Sequence, residues 1–223
     1  MKKLKTYNEL FESIVKKLNY SNQNLLGLPE LPDNLKELFC YNNKLKELPE
    51  LPDTLKYLNC SNNQLIKISE LSDNLIGLYC SDNQIKKLPK LPETLKYLYC
   101  YSNQIKELSE LPETLIRLSC SNNQLTELPE LPDSLKLLYC NNNQIKELSE
   151  LSKTLIHLNC SNNQLTELPE LPNTLKILYC DNNQLPYKDL DSYWKWFHEY
   201  YPIHYPKKYK RYLAKKKSKK YNI

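Results

Sequence analysis

Cysteine occupies positions 40, 60, 80, 100, 120, 140, 160 and 180 and no others. A spacing of twenty that holds over eight copies excludes most globular folds, whose elements and loops have unequal lengths. It is the signature of a solenoid, in which a short unit completes its core only by stacking on copies of itself.

The rest of the unit is equally regular. Residues 35–54 carry Leu35, Leu38, Cys40, Asn43, Leu45, Leu48, Pro49, Leu51 and Pro52, or LxxLxCxxNxLxxLPxLPxx. Period-two alternation through Leu38-Phe39-Cys40 sends Leu38 and Cys40 to one side and Glu37, Phe39 and Tyr41 to the other, which predicts a short parallel strand. Leu45, Leu48 and Leu51 then return to the interior. Pro49 and Pro52 favour an extended, polyproline-like path that needs no ladder donor, so no helix is expected on the outer wall. Asn recurs at 43, 63, 83, 103, 123, 143, 163 and 183, where the chain must turn inward. A side-chain amide both donates and accepts, so a stacked Asn column can satisfy the peptide groups of neighbouring turns.

This unit resembles the leucine-rich repeat, with Cys in place of the second aliphatic of the usual LxL. Its twenty-residue length and doubled Leu-Pro are similar to the bacterial effector type. The resemblance covers residues 20–185 and implies a leucine-rich repeat solenoid with a curved parallel β-sheet on the concave side and an extended convex side. Short helical caps are expected at both ends. Leu10, Phe11, Ile14 and Leu18, with a capping box from Thr6 and Glu9, predict a helix over 6–18. Val15, Leu18, Tyr20, Gln23, Leu25 and Leu28 also fall in repeat phase, so that helix would hand over to a degenerate first coil. After Asn183, the residues Leu190, Tyr193, Trp194, Phe197 and Tyr201 share one helical face. The expected organisation is an N-terminal cap over 1–19, repeats over 20–185, an aromatic helical cap over 186–203, and a basic, disordered tail over 204–223.

No apolar run approaches the roughly 18 residues needed to span a bilayer, and Met1-Lys2-Lys3-Leu4 leads into a charged segment instead of a signal-peptide core. An intracellular location, host cytoplasm or nucleus if the chain is viral, is therefore expected. In-register parallel neighbours lack the side-on geometry that a disulfide prefers, so the thiols are read as reduced, buried, small hydrophobes. Asn19-Tyr20-Ser21, Asn59-Cys60-Ser61 and Asn159-Cys160-Ser161 match a glycosylation sequon, but the last two fall in strands and are read as chance. One Ala, one Val and two Gly beside abundant Lys, Asn, Ile and Tyr indicate an AT-rich genome. With the wording of Thr54 to Gln64 and Thr94 to Gln104, this is similar to uncharacterised leucine-rich repeat proteins of giant DNA viruses of the mimivirus kind, which implies a host-directed binding protein.

Catalysis is not expected. His157 is the only histidine of the repeats, and Cys160 lies an odd number of residues away on the same strand, so the two side chains face opposite sides. There is no phosphate loop, and the CxxC pairs and histidines of zinc sites are missing, so neither a cofactor nor a metal is expected.

Binding is expected on the outward columns of the strand row. These hold Phe39, Tyr41, Tyr57, Tyr79, Tyr97, Tyr99, Tyr101, Arg117, Tyr139 and Tyr179 among Ser and Asn, with few charges. That composition is like an antibody combining site, where Tyr gives contact area at low entropy cost. The expected function is a monomeric, non-catalytic protein-binding scaffold. A second reading comes from the charge distribution. Residues 186–223 hold 11 Lys or Arg against 3 acids, a net +8, leaving −3 on residues 1–185. Lys207, Lys208, Lys210, Arg211, Lys215, Lys216 and Lys217, interleaved with tyrosines, could serve nuclear targeting, nucleic acid or an anionic membrane.

Overall fold

The computed structural model describes residues 15–210 and Leu213. Among these residues, nine three-residue strands recur every twenty residues: β1 Lys17–Asn19, β2 Glu37–Phe39, β3 Tyr57–Asn59, β4 Gly77–Tyr79, β5 Tyr97–Tyr99, β6 Arg117–Ser119, β7 Leu137–Tyr139, β8 His157–Asn159 and β9 Ile177–Tyr179. All neighbours are parallel and the sheet order is the chain order. Each residue pairs with the one twenty further on, so Leu38 meets Leu58 and Leu58 meets Leu78. Only that register keeps every apolar side chain inside, since a slip of one would turn the leucines outward.

The interior is built as expected. The eight cysteines are fully buried, unpaired thiols, and the central strand leucines from Leu38 to Leu158 are equally inaccessible. Burial pushes the thiols of Cys40, Cys100, Cys140 and Cys180 up to about 12, so they are neutral packing groups at physiological pH.

The asparagine column does what its chemistry allows. Asn103 Nδ2 donates to the carbonyls of Cys80 at 3.0 Å and Cys100 at 3.1 Å, while its Oδ1 accepts from Ile85 N at 2.9 Å. Asn63, Asn123 and Asn163 repeat the arrangement, so each amide ties its own coil to the one before it at two points.

Two further columns were not anticipated. The residue before each of these asparagines has a positive φ of 53–55°, at Asn42, Asn62, Asp82, Ser102, Asn122, Asn142, Asn162 and Asn182. Asn and Asp tolerate that left-handed conformation best among residues with a side chain. On the convex side, Thr54 Oγ1 donates to the carbonyls of Asp33 and Leu35, and Thr94, Thr114 and Thr174 do the same one coil apart. The hydroxyl column supplies donors for convex carbonyls that no strand partner reaches. The convex side is extended and turn-like, with no helix between the strands.

The N-terminal boundary differs from expectation. Lys17 and Leu18 lie in β1, paired with Glu37 and Leu38, and not in a helix reaching residue 18. Repeat phase prevails there because Val15, Leu18, Tyr20, Leu25 and Leu28 all pack against the core as a first coil. Residues 6–14 of the expected helix lie outside the described residues.

At the other end the last strand is closed off. Tyr179 bridges Asp189 in antiparallel fashion and Cys180 N donates to Lys188 O at 3.0 Å. Helix α1, Leu190–Lys195, opens with a capping box between Asp189 and Ser192. A π-helical turn, Trp196–Tyr200, and the short helix α2, Tyr201–His204, follow. Tyr193 and Phe197 are buried and Leu190, Trp194 and Tyr201 half-buried against the core, as the helical stripe requires. The tail, expected to be disordered from 204, is helical over 206–210. Tyr209 packs on Phe197 with centroids 5.6 Å apart, which holds that turn to the cap. Among the described residues, no helix is long and apolar enough to cross a membrane.

Candidate partner-binding face

Strand parity leaves the first and third residues of each strand, and the residue after the following Cys, on the sheet's outer face. Phe39, Tyr41, Tyr57, Tyr79, Tyr97, Tyr99, Tyr101 and Tyr139 are all half-buried there, and Arg117 and Tyr179 are exposed.

The residues form two groups and not one continuous carpet. In the central group, Tyr79 and Tyr99 stack with centroids 5.0 Å apart and planes 15° from parallel. Arg117 Nη1 donates to the Tyr99 hydroxyl at 3.4 Å. Gly77 makes the group possible: a Cβ there would meet Tyr57 Cδ1 and Tyr79 Cε2 at 3.0 Å each. The missing side chain lets the two rings close over the β4 backbone. Burial, followed by the neighbouring Tyr99, Tyr57 and Tyr97, raises the Tyr79 phenol above its ordinary value, so it stays a neutral donor.

The second group joins Tyr139 and Tyr179, both expected on this face, through a histidine that was not counted among the binding residues. His157 sits between Tyr139 and Tyr179, with ring centroids at 4.7 and 5.8 Å, and its Nδ1 is 3.1 Å from the Tyr139 hydroxyl. Its Nε2 is buried with no hydrogen-bond partner among the described residues, and burial lowers the imidazole below its ordinary pKa. Parity puts His157 in the same outward column as Tyr57 and Tyr97, and the ring contacts with Tyr139 and Tyr179 follow from that position. The fully buried Cys160 lies on the opposite side of the strand, so the two form no dyad.

The outer residues are less concerted. Phe39 is covered by Lys17, whose Nζ lies 4.7 Å from the ring centroid and 3.1 Å from Glu37. Tyr41 and Tyr101 lie in the third column among serines, of which Ser81, Ser121 and Ser161 are buried. In the three sequons, Asn19, Asn59 and Asn159 each accept from the backbone N–H two residues on, so their amides are engaged in local turns.

The tail residues are only partly accounted for. Lys207, Lys208 and Lys210 are exposed, and Lys208 Nζ lies 3.8 Å from Glu167. Arg211, Lys215, Lys216 and Lys217 lie outside the described residues.

A one-coil-per-twenty-residues parallel solenoid, lined by leucine and cysteine and presenting a single open sheet face, defines a repeat scaffold of the protein-interaction type. The family profiles agree with the geometry. Profiles described as leucine rich repeats in two copies match residues 33–73, 73–113 and 113–153, and a single leucine rich repeat profile matches 154–173. The chain belongs to the leucine-rich repeat family.

Solved structures extend the comparison. YopM from Yersinia enterocolitica WA-314 is 41% identical with a TM-score of 0.71, over 72% of this chain and 36% of that one. This chain therefore spans about a third of that protein's length. A Shigella effector leucine-rich repeat domain is 32% identical with a TM-score of 0.64, over 71% of this chain and 74% of that one. The functional domain of InlJ from Listeria monocytogenes, described as including a cysteine ladder, is 25% identical with a TM-score of 0.57, over 81% of this chain and 47% of that one. No curated protein matches the sequence. These relatives are bacterial, so the likeness to giant-virus proteins rests on composition and repeat wording alone.

Proposed function

We propose that this chain is a non-catalytic scaffold that binds a protein partner on its tyrosine-rich concave face, centred on Tyr79, Tyr97, Tyr99 and Tyr101 with Arg117 beside them. The observation that carries this reading is the stacked Tyr79–Tyr99 pair, in which Tyr79 lies with Tyr57 against Gly77 and Tyr99 accepts a hydrogen bond from Arg117. Such rings are already positioned, so a partner gains aromatic contact area with little side-chain ordering cost. Nine strands at a spacing of about 4.8 Å give a row of roughly 38 Å, long enough for a standard interface of about 800 Å² per side. The remaining face residues, Phe39, Tyr41, Tyr57, Tyr139 and Tyr179, extend the same surface toward both ends.

The printed role of the relatives as effector proteins supports a partner inside a host cell. The AT-rich composition and repeat wording support a giant-virus source. In either case the partner is a host protein.

The test uses immobilised full-length chain against host-cell lysate, with Tyr99→Ala and Tyr101→Ala combined in one variant. A partner recovered by the parent and lost by the variant, with circular dichroism unchanged, supports the face. Unchanged recovery sinks it. Deleting residues 207–223 should leave recovery intact. Its loss, together with steeply salt-dependent nucleic-acid binding by the parent, would favour the tail reading instead.

A further inference from the structure

The junction between the last coils and the C-terminal cap encloses an open cavity of about 410 Å³, in the size range of small-molecule sites. Its inner wall is aromatic. Trp196 lies 5.0 Å from both Tyr187 and Tyr201, with planes inclined by 52° and 57°, and Tyr187 meets Tyr193 edge-on at 89°. The rings of Trp196 and Tyr187 are inclined to one another where they line the cavity, whereas the faces of Tyr201 are engaged by stacking with Phe197 at 5.2 Å and Tyr205 at 5.1 Å. A hydrogen bond with the Leu168 backbone fixes Tyr187 against the convex side of the solenoid.

The rim is acidic. Glu167 and Glu170 both line the cavity. The cationic group present is the chain's own Lys208, which lines the same cavity with its Nζ 3.8 Å from Glu167. Both partners are largely exposed, at 64% and 81%, so this ion pair is weak and readily displaced. Ring faces carry negative quadrupole charge and, with a carboxylate at the mouth, form the recognition chemistry of alkylated ammonium ions.

We infer that this cavity is a binding site for a trimethylammonium group, with Trp196 and Tyr187 forming its aromatic wall, Glu167 and Glu170 supplying the counter-charge, and Lys208 as an internal competitor. The site is separate from the concave face and requires none of its tyrosines. A methylated cation fits better than a bare one because it sheds its hydration more easily and its methyl groups can lie against the aromatic wall.

The experiment titrates choline into full-length ¹⁵N-labelled chain and follows the two indole N–H resonances, assigned with Trp194→Phe. The Trp196 signal should shift saturably while that of Trp194 moves little. Lys208→Ala should tighten choline binding a few-fold, and Glu167→Gln with Glu170→Gln should weaken it by about fivefold or more. The neutral isostere 3,3-dimethylbutan-1-ol should bind more weakly by a similar factor. A trimethyllysine peptide titrated in parallel distinguishes the sources: tighter binding than choline assigns the cation to a polypeptide, and equal binding to a free solute. Equal affinity for choline and the isostere would overturn the inference, as would the lack of any choline-induced shift in both the parent and Lys208→Ala. An unchanged affinity in the double glutamate variant would also overturn it.

Discussion

Asn103→Ala tests whether the amide column holds the coils together. Asn103 is among the most buried of that column, and its Oδ1 accepts from Ile85 N at 2.9 Å. Its Nδ2 serves Cys80 O, Cys100 O and Tyr101 O. The three carbonyls keep other donors after truncation: Asn83 for Cys80, Asn123 for Cys100, and the Asp82 amide for Tyr101. The Ile85 N–H, on a fully buried residue, keeps none of its own. A buried orphan donor costs about 1–3 kcal/mol, and weakening three shared carbonyls adds a fraction of that, so the expected loss is roughly 2–3 kcal/mol. Urea unfolding should show the midpoint falling by about 1 M at an unchanged slope of 2–3 kcal/mol/M. The exposed Gln124→Ala, as control, should change stability by less than about 0.5 kcal/mol. Thiol labelling gives a local readout, because an opened joint between coils should expose Cys80 and Cys100 before the remaining cysteines. A loss below about 0.5 kcal/mol for Asn103→Ala, or labelling that is uniform along the ladder, would refute the argument.

Two further outcomes follow from the turn column and the imidazole. Ser102 is the one position of the left-handed column from 42 to 182 without an Asn or Asp, at φ 53°. Ser102→Asn should therefore stabilise the chain by about 0.5–1 kcal/mol in urea melts, a fraction of the roughly 1–2 kcal/mol left-handed cost. Its amide would also extend the side-chain ladder seen where Asn62 Nδ2 donates to Asn42 Oδ1 at 2.6 Å. His157 has a folded pKa lowered by burial, so the unfolded chain binds its proton at higher pH. Its contribution is fully present above the unfolded value of about 6.5 and is lost as pH falls below it. Melting temperature should drop between pH 7 and 5 more steeply in the parent than in His157→Gln, and identical slopes would show that the imidazole is not the sensor.

The architecture was legible because its determinants repeat. Parity placed Cys40 to Cys180 inward, and the coil spacing set the strand register without knowledge of any contact. What escaped was carried by residue types with several uses. Thr54 and Thr94 read as generic polar residues until the carbonyls of the preceding coil are seen to lack donors. The doubled asparagine at 42 and 43 conceals two unrelated roles, a left-handed turn at Asn42 and a half-buried bridging amide at Asn43. At the N-terminus, Leu18 satisfies helical and repeat periodicities alike, and only pairing with Leu38 decides between them. Tyr139 and Tyr179 were legible on the outer face, but their contacts with His157 were not, because a histidine near a cysteine reads first as a catalytic base and not as one more ring between them.

The same repetition explains why the outer face varies while its support does not. Along each coil, the strand leucine is paired with strands on both sides and the second Asn bonds its own coil to the one before, so replacing either perturbs the packing between coils. The outward residues carry no such obligation. In their first column alone, Glu37, Tyr57, Gly77, Tyr97, Arg117, Leu137, His157 and Ile177 succeed one another without disturbing the register. The exception is Gly77, where the outer face depends on the backbone itself. Gly77→Ala would leave the core column untouched yet press on Tyr57 and Tyr79 at 3.0 Å, forcing the rings apart. Such a change separates the two properties of the scaffold: it should preserve folding while loosening the Tyr79–Tyr99 stack, since the ladder sets where the rings stand and the glycine sets how closely they meet.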